Sequence, residues 1–142
     1  MFYGEFEYKI DEKGRVPIPP KFRRELQEGI VLIPGVEKCI IAYPLSKWEK
    51  LAAKLTHTSV VPSKLRRLNR AIFATAFSLN IDGQGRIALP VPLRSYAGIE
   101  NEVIVAGVND CLELWDKKEW EAEKTVSQEQ AWQIIESLER QE

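Results

Sequence analysis

Apolar and polar positions alternate along Phe2, Gly4, Phe6, Tyr8 and Ile10, and the same period of two returns along Phe73, Thr75, Phe77, Leu79 and Ile81. An extended chain with that period puts one face into a core, so both stretches predict half-buried strands. Each leads into one pattern: Ile10-Asp11-Glu12-Lys13-Gly14-Arg15-Val16-Pro17-Ile18-Pro19 first, then Ile81-Asp82-Gly83-Gln84-Gly85-Arg86-Ile87-Ala88-Leu89-Pro90. The offset is 71 residues in a chain of 142. A match that ordered, at half the chain length, marks one unit used twice. Between Asp and Arg lie three residues with Gly last, which suits a three-residue hairpin loop whose third residue is left-handed. Strands Phe2–Ile10 and Arg15–Ile18 are thus expected to form a hairpin, with Asp and Arg facing each other across its neck. A charge-assisted bond at that distance holds a guanidinium in place at a loop tip.

The rest of the first unit follows from its breakers. Pro19 and Pro20 end a strand and suit a helix start, so Lys21–Leu26 predicts a short helix with Phe22 and Leu26 four apart, closed by Gly29. Ile30–Ile33 and Cys39–Tyr43 predict two more strands. Ser46 is the expected N-cap of a helix carrying Trp48, Leu51, Ala52 and Leu55. Thr56–Ser63, which contains Pro62, predicts a loop, and Lys64–Ile72 a helix bridging the units. In the second unit Val91–Arg94 replaces the short helix and Val103–Ala106 the third strand. From Gly107 the match runs at offset 72, so one residue is inserted in a turn, where it disturbs least. Lys118-Glu119-Trp120-Glu121 answers Ser46-Lys47-Trp48-Glu49, and a last helix, Gln128–Glu139, has no counterpart. The expected organisation is one α+β domain, mainly β: a first repeat over 1–55, a linker helix over 56–72, a second repeat over 73–124 and a C-terminal helix over 125–142. A unit of about 50 residues buries too little alone, so the two copies should pack on each other about an approximate twofold axis.

Composition changes this picture in two ways. The apolar fraction of 44% is enough for a core, and the net charge of −1 favours no particular partner. Its distribution is uneven: from Glu113 onward there are nine acids and four bases, leaving 12 acids and 16 bases before that point. A basic body therefore carries an acidic tail. No apolar run approaches membrane length, so a cytoplasmic protein without membrane contact is expected. Cys39 and Cys111 stand singly in apolar strands with one His, His57, in the whole chain; buried structural thiols, and no metal or cofactor, are the expectation. Trp48 and Trp120 occupy equivalent positions and predict packing, whereas Trp132 suits a subunit contact. No phosphate loop, nucleophile elbow or paired catalytic carboxylate appears, so the chain offers no enzyme mechanism.

If the repeats pack about a pseudo-dyad, Arg15 and Arg86 emerge on one side with Lys13, Lys21, Arg23, Arg24 and Arg94. Such a patch suits phosphates, and an Arg held by an Asp can also fork onto a guanine edge. Two plainer readings stand beside this one. Asp11–Arg15 and Asp82–Arg86 read equally as surface ion pairs worth about 0–1 kcal/mol each. Lys64, Arg66, Arg67 and Arg70 read as a solvated helix face or as a second phosphate contact.

One further set of residues bears on the choice. The opening Met1-Phe2-Tyr3-Gly4, the two Asp-x-x-x-Arg turns, Tyr43-Pro44-Leu45 with Trp48-Glu49, and Glu113-Leu114-Trp115-Asp116 with Trp120 together resemble the MraZ family. These are bacterial regulators associated with the division and cell wall gene cluster. The resemblance implies the swapped-hairpin fold of AbrB-type proteins, two β-α-β repeats interlocked as a pseudo-twofold barrel with peripheral helices. It also implies a ring-shaped homo-oligomer, nucleoid-associated, that binds double-stranded DNA at direct repeats in the cluster's promoter and takes no small-molecule substrate. The resemblance carries the DNA role onto Asp11, Arg15, Asp82 and Arg86, and onto Lys13 in the first loop. The leading expectation is that Arg15 and Arg86 read or clamp DNA, that Asp11 and Asp82 orient them, and that Lys13 with the basic residues Arg23, Arg24 and Arg94 supplies phosphate contacts. Gln84 departs from a basic loop residue. The rival expectation is a ring-forming assembly module without DNA binding. A small barrel enzyme using its Arg pair on an anionic substrate ranks last, since no titratable base is at hand.

Overall fold

A computed structural model describes residues 1–141, so Glu142, the last acid of the tail, lies outside the described residues. In chain order the elements are β1 (Phe2–Lys9), β2 (Arg15–Pro17), two 3-10 turns (Pro20–Phe22 and Arg24–Leu26), β3 (Ile30–Pro34), β4 (Ile40–Pro44), α1 (Leu45–Thr56) and α2 (Pro62–Ile72). The second half gives β5 (Phe77–Leu79), β6 (Arg86–Ala88), α3 (Val91–Ala97), β7 (Glu102–Asn109), β8 (Leu112–Asp116) and α4 (Lys117–Arg140).

The strands form a six-stranded antiparallel sheet ordered β1-β7-β8-β4-β3-β5 and a separate two-stranded ribbon of β2 and β6. β1 lies on β7 over its whole length, from Phe2 opposite Asn109 to Lys9 opposite Glu102. β5 lies on β3, with Ile30 opposite Leu79. Each repeat therefore places its first strand against a strand of the other. The main core mixes them accordingly: Val16, Ile18, Phe22 and Leu26 are buried with Ile87, Leu89, Leu93 and Ala97. Neither half can close this core alone, because the strands that cover it come from the other half. A smaller cluster of Cys39, Ile104, Ala106 and Trp115 packs against Trp120 of α4.

Several expectations are corrected. The predicted hairpin arms do not pair with each other: β1 joins the large sheet while β2 joins β6, because each arm buries more against the other repeat than against its neighbour. No closed barrel forms among the described residues; β1 and β5 remain the edges of the large sheet, and the ribbon is three residues a side. The alternation from Phe73 does not yield a strand until Phe77. Phe73 instead ends α2, its ring 5.3 Å from that of Trp48. The helix at Lys21–Leu26 is two tight 3-10 turns that still bury Phe22 and Leu26. Ser46 does not cap α1, whose N-cap is Pro44, two residues earlier, and Pro62 opens α2 rather than ending a loop. Proline suits both places, since its fixed φ fits a helix entry and its missing N–H costs nothing in the first turn. The final helix is not separate: α4 runs unbroken from Lys117 to Arg140, capped by the Asp116 carboxylate, which accepts from the Glu119 N–H at 3.3 Å.

Candidate nucleic-acid interface

The two Asp-x-x-x-Arg turns are near copies. Asp11 accepts from the backbone N–H of Lys13 at 3.0 Å and of Arg15 at 2.8 Å, and from Arg15 Nε at 2.6 Å. Asp82 accepts from the N–H of Gln84 at 2.9 Å and of Arg86 at 2.9 Å, and from Arg86 Nε at 3.0 Å. Gly14 and Gly85 both have φ of +77°, the left-handed third position that the loop length predicts. Each Asp thus holds the turn and the guanidinium of its own Arg. The bond from the Arg15 N–H, ahead of that from its side chain, holds the Asp11 carboxyl below its usual 3.8; the Arg86 N–H does most to lower Asp82. Both acids stay ionised at neutral pH and keep their grip.

The ribbon brings the two turns together. Arg15 lies opposite Ala88, Val16 opposite Ile87 and Pro17 opposite Arg86. Paired residues share a face and successive residues alternate, so Arg15 and Arg86 lie on the same face as diagonal neighbours, about 7–8 Å apart at the backbone. Val16 and Ile87, at 0% and 1% exposure, fill the core beneath them. Both arginines are half-buried, at 31% and 25% side-chain exposure, and are neither hidden nor on opposite sides.

Arg23 and Arg94 take up positions that no sequence pattern announced, because each lies against the turn of the other repeat. A Cβ on Gly85 would fall 2.3 Å from Arg23 Cζ, and one on Gly14 would fall 3.0 Å from Arg94 Cζ. Arg23 Nε donates to the Ile18 carbonyl at 2.9 Å, and the Ile18 N–H in turn donates to the Gly85 carbonyl at 2.8 Å. At the first turn the Leu89 N–H donates to the Gly14 carbonyl at 2.8 Å, but Arg94 Nε, buried, has no hydrogen-bond partner among the described residues. The two glycines leave room for a guanidinium beside each turn. Four arginines therefore gather at the ribbon. Two are matched by aspartates, while Arg23 and Arg94 have no ion-pair partner among the described residues.

The remaining candidates are scattered more widely. Lys13 and Arg24 are exposed and form no ion pair among the described residues. Lys21 turns aside to lie over the Tyr3 ring, 4.0 Å from its centre. Lys64, Arg66, Arg67 and Arg70 are exposed on α2. Cys39 and Cys111 are buried free thiols that burial pushes up to about 12, so they are protonated and inert. Among the described residues no group of His, Cys, Asp and Glu is arranged to hold a metal, and no helix is long and apolar enough to cross a membrane.

A family model described as "MraZ protein, putative antitoxin-like" matches twice, over residues 1–70 and again over 72–140. The chain belongs to the MraZ family. The double match to an MraZ model falls on the two repeats. The chain is 65% identical over 140 residues to a protein of Dehalococcoides mccartyi, covering 98% of this chain and 99% of that one. It is 44% identical to a protein of Acetivibrio thermocellus, covering 86% and 85%. It is 43% identical to one of Herpetosiphon aurantiacus, covering 85% of each. All three relatives carry the name transcriptional regulator MraZ.

Proposed function

We propose that this MraZ protein is a transcriptional regulator that binds double-stranded DNA sequence-specifically at promoter direct repeats of the division and cell wall cluster, as a homo-oligomeric ring in the cytoplasm and on the nucleoid. The observation that carries the reading is the pair of Asp-held arginines on one face of the β2–β6 ribbon. A guanidinium whose Nε is tied to a carboxylate keeps its outer edge free for the two acceptors of a guanine or for a phosphate. Because the Asp fixes it beforehand, little side-chain entropy is lost on contact. Arg23 and Arg94, against the two turns, add positive charge beside the pair, and the exposed Lys13 and Arg24 are further phosphate contacts. The names of the relatives support regulation of transcription. A net charge of −1 makes one copy a weak DNA binder, and several copies on neighbouring repeats offset this through their high effective concentration.

Salt titration of binding to the DNA upstream of the cluster tests the reading. Log affinity should fall linearly with log salt as neutralised phosphates release counterions. A protein that assembles but retains no such DNA at low salt is instead the assembly module.

A further inference from the structure

The far half of α4 is exposed at every position from Trp132 to Arg140. Its first half is tied to the sheet: Trp120 Nε1 and Lys124 Nζ donate to the Glu5 carboxylate at 3.0 and 2.9 Å, and the Trp120 ring lies 5.8 Å from Trp115. Beyond that anchor Trp132, Ile135 and Leu138 form one stripe, at 72%, 40% and 58% exposure. Glu129 and Glu136 flank the tryptophan three residues before and four after, and Glu136 has only a loose pair with Arg140 at 3.8 Å.

The complementary surface lies elsewhere on the same chain. A cavity of about 410 Å³ beside α1 is lined by Tyr43, Leu51 and Cys111 together with three lysines, Lys47, Lys50 and Lys54, and one acid, Asp110. Lys47 reaches Asp110 at 3.6 Å, whereas Lys50 and Lys54 have no ion pair among the described residues. The spacings agree. Glu129, Trp132 and Glu136 stand at i, i+3 and i+7, as do Lys47, Lys50 and Lys54, so two helices laid side by side bring the charges together over about 10 Å. At the equivalent positions of the second repeat stand Glu119, Ala122 and Val126, so the row of three lysines belongs to the first repeat alone. One chain thus carries one projecting face and one socket of a different kind.

We infer that α4 of one copy docks in the α1 groove of the next, Trp132 seated against Tyr43 and Leu51 and Glu129 and Glu136 facing the row of lysines. This rests on the homo-oligomeric reading above and names its surface. A buried indole brings about 150–250 Å² to such a contact and is the kind of anchor that dominates an interface. A knob and socket on different faces make a head-to-tail contact, which closes into a ring when the rotation between copies allows. It also withdraws the acidic tail from the neighbourhood of DNA.

Native mass spectrometry and sedimentation of the full chain test this. Wild type should exceed the monomer mass, and Trp132→Ala, on an exposed helix face that alanine suits, should weaken association by at least about 30-fold with the helical signal intact. Lys50→Glu with Lys54→Glu should dissociate the assembly, as should Glu129→Lys with Glu136→Lys. Mixing those two variants should restore it, because each supplies the partner the other lacks. A monomeric wild type would defeat the homo-oligomeric reading itself. A wild type that assembles, with Trp132→Ala and both charge reversals unchanged in mass, would overturn this interface alone. Loss of assembly without recovery on mixing would likewise overturn the pairing of these two faces.

Discussion

At the first turn Asp11 holds Arg15 with an exposed Lys13 between them, and at the second Asp82 holds Arg86 with Gln84 in that place. Both glycines stand at the same φ, and Val16 and Ile87, Ile18 and Leu89, Phe22 and Leu93 fill matching places in one core. The buried differences exchange one apolar side chain for another, whereas at exposed positions Glu12 against Gly83 and Lys13 against Gln84 change the charge. Residues that shape the turn have been kept, and those that meet the surroundings have drifted. A pseudo-symmetric scaffold can thus present two similar guanidinium groups through two chemically unequal loops. The arginines behind the turns repeat the lesson, for Arg23 Nε has its carbonyl and Arg94 Nε has none among the described residues.

The comparison breaks most severely from below. Ile87→Ala empties a fully packed position under the ribbon and should destabilise the fold by about 2–5 kcal/mol, read from denaturant melts. Val16→Ala, which removes less volume from the matching place, should cost less. Next, Gly85→Ala forces a side chain into a left-handed conformation and against Arg23, for a loss of roughly 1–3 kcal/mol. Gly14→Ala meets Arg94 at a longer distance and should cost less than its twin. At the interface, Arg15→Ala should weaken binding to promoter DNA by about 1–3 kcal/mol with the melting curve unchanged, and Arg86→Ala by the same order if the turns share the duplex. An affinity unchanged for one of them would assign DNA contact to a single repeat. Gln84→Lys makes the second loop resemble the first and should raise the salt slope by about one phosphate.

The smallest effect is on acid stability. Asp11 and Asp82 titrate below their usual 3.8 in the folded chain, so their contribution is present above that value and is lost as the pH falls through the lowered one. Asp11→Asn with Asp82→Asn should therefore flatten the fall in Tm between about pH 5 and about pH 2.

Much of the fold was legible because it is local. The Asp, the loop length and the terminal Gly specify the turn through bonds inside five residues, and the period of two marks the buried face of β1. The period of two does not show where β5 begins: Phe73 caps the end of α2 with its ring against that of Trp48, a partner no period can reveal. Among the candidates, Arg15 and Arg86 were readable from their repeated spacing. Arg23 and Arg94 were visible only as charge, since their places beside Gly85 and Gly14 depend on contacts between repeats.

The residue order by itself determined that there are two units, that each has an Asp-clamped Arg at a glycine turn, and that apolar positions lie beneath it, because these are matters of backbone conformation and periodicity over a few residues. Only the tertiary structure decided which strand pairs with which. β1 chooses β7 over β2, and β2 chooses β6, because burial against the other repeat completes a shared core that neither unit could close alone. That exchange of partners is what sets Arg15 and Arg86 side by side.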